Sequence, residues 1–486
     1  VCRRLRRQQV AKQNKQNNKT YNIMKASFLA GSVMLLALAA GVASCENENI
    51  NPYDYAAKTD TITINTGDEN TVKTSVASYP TGSIVWTHDT TLTSSFKVPE
   101  GAALYIEPGV KVTVAAKPTE DHPVEIVALG NLYSMGTAEK PVVIKSDNGK
   151  ANDWGGIICG YNCSEVVLSH TELADAGATP TESSLSFQNK LFKTTIDGGV
   201  PAFHFCNTNG RFAIVDCFFH DNYNDQTYFT GGSGVIYGST FADSGNESDG
   251  GEAINVKSGC TLDIAYNLIY NACTNAFKLS DAGVEKNFAS KLIIYNNTAV
   301  DCGWRRTKNK KGGNVWLEKA IAPTLVNNLF VDNRYGIRQP AKDGGDIEHS
   351  VLAPNYLFAS TATGVKQQAK DYSMIVWDDK NITSSAPEDL SKLFVNFAQS
   401  DKMNINCESD DVAKGAPLTW NTAWDFHLQS GAVALTGATT SIVRNFPTGL
   451  AFFGMKKVKW VNSSDDQDYY FTAPALSAFF GAYGIK

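Results

Sequence analysis

Five short segments of this chain repeat one pattern: a small residue or Asn, any residue, an apolar residue, any residue, then Asp or Asn. They are Cys217-Phe218-Phe219-His220-Asp221, Ser239-Thr240-Phe241-Ala242-Asp243, Asn267-Leu268-Ile269-Tyr270-Asn271, Asn297-Thr298-Ala299-Val300-Asp301 and Asn328-Leu329-Phe330-Val331-Asp332. Their last positions lie 22, 28, 30 and 31 residues apart. A weaker earlier copy, Thr171-Glu172-Leu173-Ala174-Asp175, stands at a longer distance, which predicts an insertion around residues 178–200. Each unit holds short runs with period-two alternation between Gly, Asn and Asp turns, and no stretch of about a dozen residues has a helical period. A unit this short has no helix to carry the chain back across a sheet. It must coil and stack on its neighbours, with successive turns pairing as parallel strands about 4.8 Å apart. The alternation predicts inward ladders of Ile254 over Phe277 and Val256 over Leu279. Asn267, Asn297 and Asn328 are predicted to stack at one inner turn, where their amides can bond to each other; the alternative is three unrelated surface turns.

These residues resemble the right-handed parallel β-helix, or pectin-lyase-like, family. Ala103-Leu104-Tyr105-Ile106-Glu107-Pro108-Gly109-Val110-Lys111-Val112 is similar to the opening coil of bacterial surface β-helix lipoproteins. So are Gly130-Asn131-Leu132, Gly136-Thr137-Ala138-Glu139-Lys140-Pro141-Val142 and Asp153-Trp154-Gly155-Gly156-Ile157. Asp425-Phe426-His427-Leu428-Gln429-Ser430-Gly431 is similar to the segment that often closes the domain. The resemblance implies an all-β fold, a right-handed parallel β-helix solenoid of roughly a dozen coils over residues 82–435. It does not select a function, because the family hosts lyases, hydrolases and adhesins. Residues 436–486, with the apolar stretch Ala473-Pro474-Ala475-Leu476-Ser477-Ala478-Phe479-Phe480, are expected to form a C-terminal cap or a small separate domain.

The N-terminal region has a different composition. Residues 1–44 carry eight basic residues and no acidic one. Met24-Lys25 precedes an apolar run from Ala26 to Ala43, which ends in Val42-Ala43-Ser44-Cys45. A short positive end, an apolar core and small residues before a cleavage point form an export signal. The segment resembles a bacterial lipoprotein signal, which implies acylation of Cys45; a single membrane-spanning helix is the alternative. Residues 1–23, basic and rich in Gln and Asn, are read as an upstream extension ahead of the true start, or as a long cytoplasmic n-region. Residues 24–44 form the signal and 45–81 a polar tether or N-terminal cap. Removing the eight positive charges takes the net charge from −6 to −14 over 442 residues. So acidic a body does not suit nucleic-acid binding. The expected location is the cell envelope or outer membrane, with the membrane engaged through a lipid anchor at Cys45.

The eight cysteines beyond Cys2 and Cys45 permit disulfides in an exported protein. Several lie at the repeated motif, so buried free thiols are the simpler expectation, and no metal site is expected from Cys159 and Cys163. No phosphate loop, zinc-protease helix or serine elbow is present. One stripe stands out. Alternation places Phe203 and Phe205, Ile254 and Val256, Phe277 and Leu279 inside, so His204, Asn255 and Lys278 should face solvent, with Trp316 and Arg338 at the corresponding places. Beside them Trp304-Arg305-Arg306-Thr307-Lys308-Asn309-Lys310-Lys311 is a basic loop on an acidic protein. Aromatic faces and fixed cations suit anionic sugars. The expected ligand-binding residues are thus His204, Asn255, Lys278, Trp304, Arg305, Arg306, Trp316 and Arg338, with an anionic polysaccharide as partner. The expected role is polysaccharide binding or surface adhesion, without a cofactor. The alternative is a polysaccharide lyase or glycoside hydrolase using Asp243, Glu247, Asp249, Glu252 and Lys278, with Ca²⁺ required only for the lyase.

Overall fold

Strands that alternate inward and outward side chains, joined by turns too short for a helix, close into a coil of three faces. The computed structural model describes residues 77–486 apart from 192, 193, 197, 247–249, 284–288, 307–311, 398–418, 457, 458 and 461–468. The signal segment, Cys45, Glu247, Asp249, Cys407 and the lysines of the basic loop therefore lie outside the described residues. Three parallel sheets run the length of the molecule. Sheet 1 has nine strands from Phe96–Val98 to Ile337–Arg338, and sheet 2 nine from Ile84–Trp86 to Thr324–Val326. Sheet 3 has eleven, from Thr90–Leu92 to Ile382–Thr383. The chain visits sheets 2, 3 and 1 in turn and then climbs one rung, which makes a right-handed parallel β-helix. The predicted ladders occur in register, Ile254 beside Phe277 and Val256 beside Leu279. Together with Phe203, Phe219, Phe241, Leu262 and Ile294 they form one continuous buried core.

The repeated Asp or Asn has a backbone cause. Asp175, Asp221, Asp243, Asn271, Asp301 and Asp332 all have φ between 50° and 67°. Each ends a sheet 3 strand and turns the chain out of it in the left-handed region, which short polar side chains tolerate best. A second left-handed corner precedes the same strands at Asp216, Gly238, Tyr266, Asn296 and Asn327.

Just after that corner lies the amide stack. Asn267 donates its backbone N–H and its Nδ2 to Asn297 Oδ1, at 3.0 and 2.9 Å. Asn297 does the same to Asn328 at 3.0 and 2.9 Å, and Asn328 to Asn355 at 3.0 and 2.9 Å. Each Nδ2 also donates to a backbone carbonyl of the preceding coil. The stack runs on to Asn381 and backwards through Ser239 to Cys217. The described cysteines are free and buried, and burial pushes the Cys217, Cys260 and Cys302 thiols up to about 12.

The described residues of 436–486 lie along the solenoid rather than over its end. The segment leaves near Asn327, whose Oδ1 accepts from Thr439 N at 2.8 Å, and passes Asp263, which accepts from Asn445 N and Phe446 N at 2.9 and 2.8 Å. It reaches Glu165, which accepts from Phe453 N and Gly454 N at 2.9 and 3.0 Å. It then pairs Lys459–Trp460 with Ala77–Ser78 and returns, so that Gly481 N again donates to Asn327. This strap buries Leu450, Phe452 and Tyr469 against Tyr105, Tyr133 and Val235 on the outside of sheet 2. A single chain can do this because the outer face of sheet 2 is apolar and needs cover. Phe394, Phe397, Phe426 and Leu428 cover sheet 3 in the same way, over Tyr270, Val300, Val331 and Tyr356. The insertion expected around 178–200 covers the early rungs of sheet 1, with Leu191 and Val200 on Val127 and Ile158.

Asn297→Ala removes the acceptor for two donors of Asn267 and one of the two donors to Asn328 Oδ1, all in a buried stack. The expected loss is about 2–4 kcal/mol in denaturant unfolding. Asn297→Asp restores the acceptor but not the donor, and is expected to recover only part of it.

Candidate functional site

The strap covers sheet 2 and the segment around 394–428 the later rungs of sheet 3; the predicted stripe lies on the outer face of the later part of sheet 1. There the predicted stripe forms one ladder: His204 pairs with Tyr228, Tyr228 with Asn255, Asn255 with Lys278, Lys278 with Trp316 and Trp316 with Arg338. The prediction of an open, solvent-facing stripe does not hold. His204 and Arg338 are 0 % and 1 % exposed, and Asn255 is buried too. Their side chains leave the coil as alternation requires, but other segments roof them. Among the described residues the middle of the ladder opens into a cleft of about 220 Å³ floored by Tyr228, Asn255, Lys278 and Trp316.

The cleft's polar groups come from the corners flanking these strands. Asp225, just before Thr227–Phe229, accepts from Gly251 N and Glu252 N at 3.0 Å each, and from Asn255 Nδ2 at 2.8 Å. Those bonds fix the turn that carries Glu252 over the cleft. Glu252 is itself hydrogen-bonded to Asp225 and lies 3.8 Å from Lys278 Nζ. Lys257, which follows Ile254–Val256, pairs with Glu318 at 3.5 Å, and Glu318 accepts from Trp316 Nε1 at 2.9 Å. Arg306 completes the lining from the far side.

Burial decides the protonation states. Loss of water, with the Asp225 charge beside it, pushes Glu252 up to about 7 against the pull of Lys278. Burial and the neighbouring Lys278 bring Lys257 down to about 8, although Glu318, Glu252 and Asp225 favour its charge. Burial also works against Lys278, but Glu252, Glu318 and Asp225 outweigh it and its pKa rises. A neutral acid and a weakened ammonium thus share one cleft near neutral pH.

The other expected residues separate. Asp243 lies on the sheet 3 side, accepting from Trp420 N at 3.0 Å and from Asn271, and does not join Glu252 and Lys278. Arg305 spends its guanidinium on Asn271 Oδ1, Gly245 O, Ser244 O and Asn271 O. Trp304 is buried and donates Nε1 to Asp332 O at 2.7 Å. Arg305 and Trp304 anchor the basic loop, and of the three only Arg306 reaches the cleft. Asp225, Tyr228, Lys257 and Glu318 were missed. Tyr228 was within reach of sequence reasoning, because Thr227-Tyr228-Phe229 alternates like its neighbours and fills the rung between His204 and Asn255. Asp225 and Lys257 sit in corners, where alternation says nothing.

Calcium does not fit these residues. Both Asp225 oxygens already accept N–H bonds, and an ammonium lies against Glu252. Among the described residues no group of three or more potential ligands could hold a metal ion.

Residues 77–179 match the family model of a pectate-lyase like beta helix domain. No curated protein matches the chain. Among solved structures, the crystal structure of pectate lyase Pel9A is similar at 13 % identity and a TM-score of 0.35, over 79 % of this chain and 89 % of that one.

Folded, Glu252 holds its proton up to about pH 7; unfolded, it releases it near the ordinary 4.5. The stability contributed by the neutral acid is therefore present at low pH and lost as pH rises through 7. Glu252→Gln is expected to exceed the parent by about 1–3 kcal/mol at pH 8 and to equal it near pH 4.5, in denaturant unfolding at the two pH values.

Proposed function

We propose that this chain is an exported cell-envelope lipoprotein, anchored through Cys45, whose β-helix binds an anionic polysaccharide in the cleft of sheet 1. The observation that carries this reading is the Trp316 ring beside Lys257, Lys278 and Arg306, on a protein that is acidic elsewhere. The ring offers a face to a pyranose, and the cations offer partners to carboxylate or sulfate groups. Asp225 and Asn255 supply fixed polar groups for hydroxyls. The pectate-lyase like character of residues 77–179 supports a polysaccharide as the class of ligand.

A second reading, a polysaccharide lyase or glycoside hydrolase, is favoured by one observation. Glu252 and Lys257 titrate near 7 and 8 in the same cleft, where a proton donor and a proton acceptor are useful at neutral pH. No step is assigned to calcium, which these residues do not fit.

A panel of uronate-containing and sulfated polysaccharides, tested by calorimetry and for release of unsaturated or reducing ends, separates the two. Binding without turnover is expected, and each of Trp316→Ala and Lys278→Ala is expected to weaken it by about tenfold or more. Affinity is expected to fall from pH 6.5 to 8.5, because Glu252 gains a negative charge as Lys257 loses a positive one. Unchanged binding in both variants would remove the cleft from the reading, and turnover abolished by Glu252→Gln would establish the enzyme. For the anchor, cells fed a labelled fatty acid are expected to label the wild-type protein and not Cys45→Ala. Equal labelling of the two would exclude Cys45 as the acceptor.

A further inference from the structure

Three cysteines come together where the chain turns from sheet 1 into sheet 2 in the early coils. Cys159 ends the strand Gly156–Cys159, and Cys206 follows Phe203–Phe205, the next strand of the same sheet. Between Cys159 and Cys163 the chain makes a tight turn, in which Cys163 N donates to Gly160 O at 3.1 Å. The turn exposes Tyr161 and Asn162 and sends both flanking cysteines into the core, where each is fully buried. There the two thiols are hydrogen-bonded to each other. Cys206 is close but differently placed, because its Sγ lies against the backbone and donates to Cys159 O at 3.3 Å. The thiols of Cys217, Cys273 and Cys302 likewise donate to backbone carbonyls, those of Leu168, Asn246 and Val300, at 3.2, 2.9 and 3.5 Å.

Two features of the Cys159 and Cys163 pair favour a bond between the sulfurs. They stand four residues apart, whereas Cys206 is 43 residues from Cys163 and 47 from Cys159, so the short loop closes at the smaller entropic cost. The turn has also brought both side chains to the same side of the chain. Burial sets the timing. Exchange requires a thiolate. Burial holds Cys159 well above the ordinary thiol range, with the Cys163 hydrogen bond adding to it, and pushes Cys206 up to about 12. The folded thiols are therefore inert. A bond forms while the coil is still open, between the two sulfurs that are neighbours in sequence, and folding then seals it from reductants.

Resting on the export reading above, which places the chain where dithiols are oxidised, we propose that Cys159 and Cys163 are an oxidation site that closes into a disulfide and leaves Cys206 a free thiol. The oxidant is itself a disulfide, that of an envelope oxidoreductase or of glutathione. One cysteine thiolate attacks it, forming a mixed disulfide and releasing one of its sulfurs as a thiol. The other cysteine thiolate attacks the mixed disulfide and releases the second. Two electrons and two protons thus pass from the cysteine pair to the oxidant's sulfurs. The bond fixes the corner that leads into Glu165–Ser169, whose Glu165 accepts from Phe453 N and Gly454 N and holds the strap.

For the test the full chain is unfolded and reduced, refolded with glutathione and glutathione disulfide, alkylated in denaturant and cut with trypsin. Cleavage after Lys150 and Lys190 places Cys159 and Cys163 in one peptide, 151–190, and cleavage after Lys193 and Arg211 places Cys206 in another, 194–211. Peptide 151–190 is expected to carry no alkyl group, to be two hydrogens lighter than its reduced form and to take two alkyl groups after reduction. Peptide 194–211 is expected to be alkylated without reduction. Cys206→Ala is expected to leave the bond in place, and Cys163→Ala to return Cys159 as an alkylatable thiol, a pattern that reads out even where the variant folds poorly. Two alkyl groups on 151–190 before reduction, or a cross-link between 151–190 and 194–211, would overturn the pairing. The same digest of protein taken from cells separates the pairing from the reading it rests on. The bond is expected there too; a bond that forms on refolding but is missing from the cellular protein would overturn export to an oxidising compartment and leave the pairing intact.

Discussion

The structure depends on a corner repeated once per coil. At that corner the backbone enters the left-handed region, and an Asn side chain immediately after it bonds to the same Asn one coil away. Asn297, Asn328 and Asn355 each accept two N–H bonds and return a donor to the chain, and Asn267 accepts from Ser239 N. A buried turn without this arrangement would leave amide groups unpaired at a cost of about 1–3 kcal/mol each. With it, the sheet 3 strands from Phe218–His220 to Ile382–Thr383 start at the same height and register. The ladders of core residues and the outward ladder of sheet 1 inherit that register.

A solenoid of this kind has three outer faces, and their treatment determines where a ligand can sit. Apolar side chains on sheets 2 and 3 call for cover, which the chain supplies from its own C-terminal half. An outward carboxylate holds each covering segment by its backbone N–H groups: Glu165 and Asp263 hold the strap, Asp243 the segment at Trp420, and Glu125 the insertion at Ser186. Asp225 performs the same task for the turn at Gly251 and Glu252. Glu252 and Lys278 differ in that they hold no covering segment and face a cleft.

In that cleft burial and charge act against each other. Desolvation moves Glu252 and Lys257 toward neutrality, while the alternating signs of Asp225, Glu252, Lys278, Lys257 and Glu318 keep the cluster balanced. A small change of pH near neutrality therefore shifts protons within the cluster.

The coil, its period, the asparagine stack and the outward ladder from His204 to Arg338 were legible in the residues. They arise from local rules: alternation within a strand, left-handed tolerance of Asp and Asn, and stacking at a constant period. The strap was not legible, because nothing local in 436–486 says which face of the solenoid it meets. That depends on apolar residues such as Tyr105 and Tyr133, more than three hundred positions away. The expected cluster of Asp243 with Glu252 failed for a related reason, since a corner separates them and places them over different sheets. The chain by itself thus determined the helix and which side chains leave it. Only the tertiary structure decided which of those become roofed, and hence that the open stripe is a short cleft, because roofing comes from distant segments that bury apolar surface wherever it is exposed.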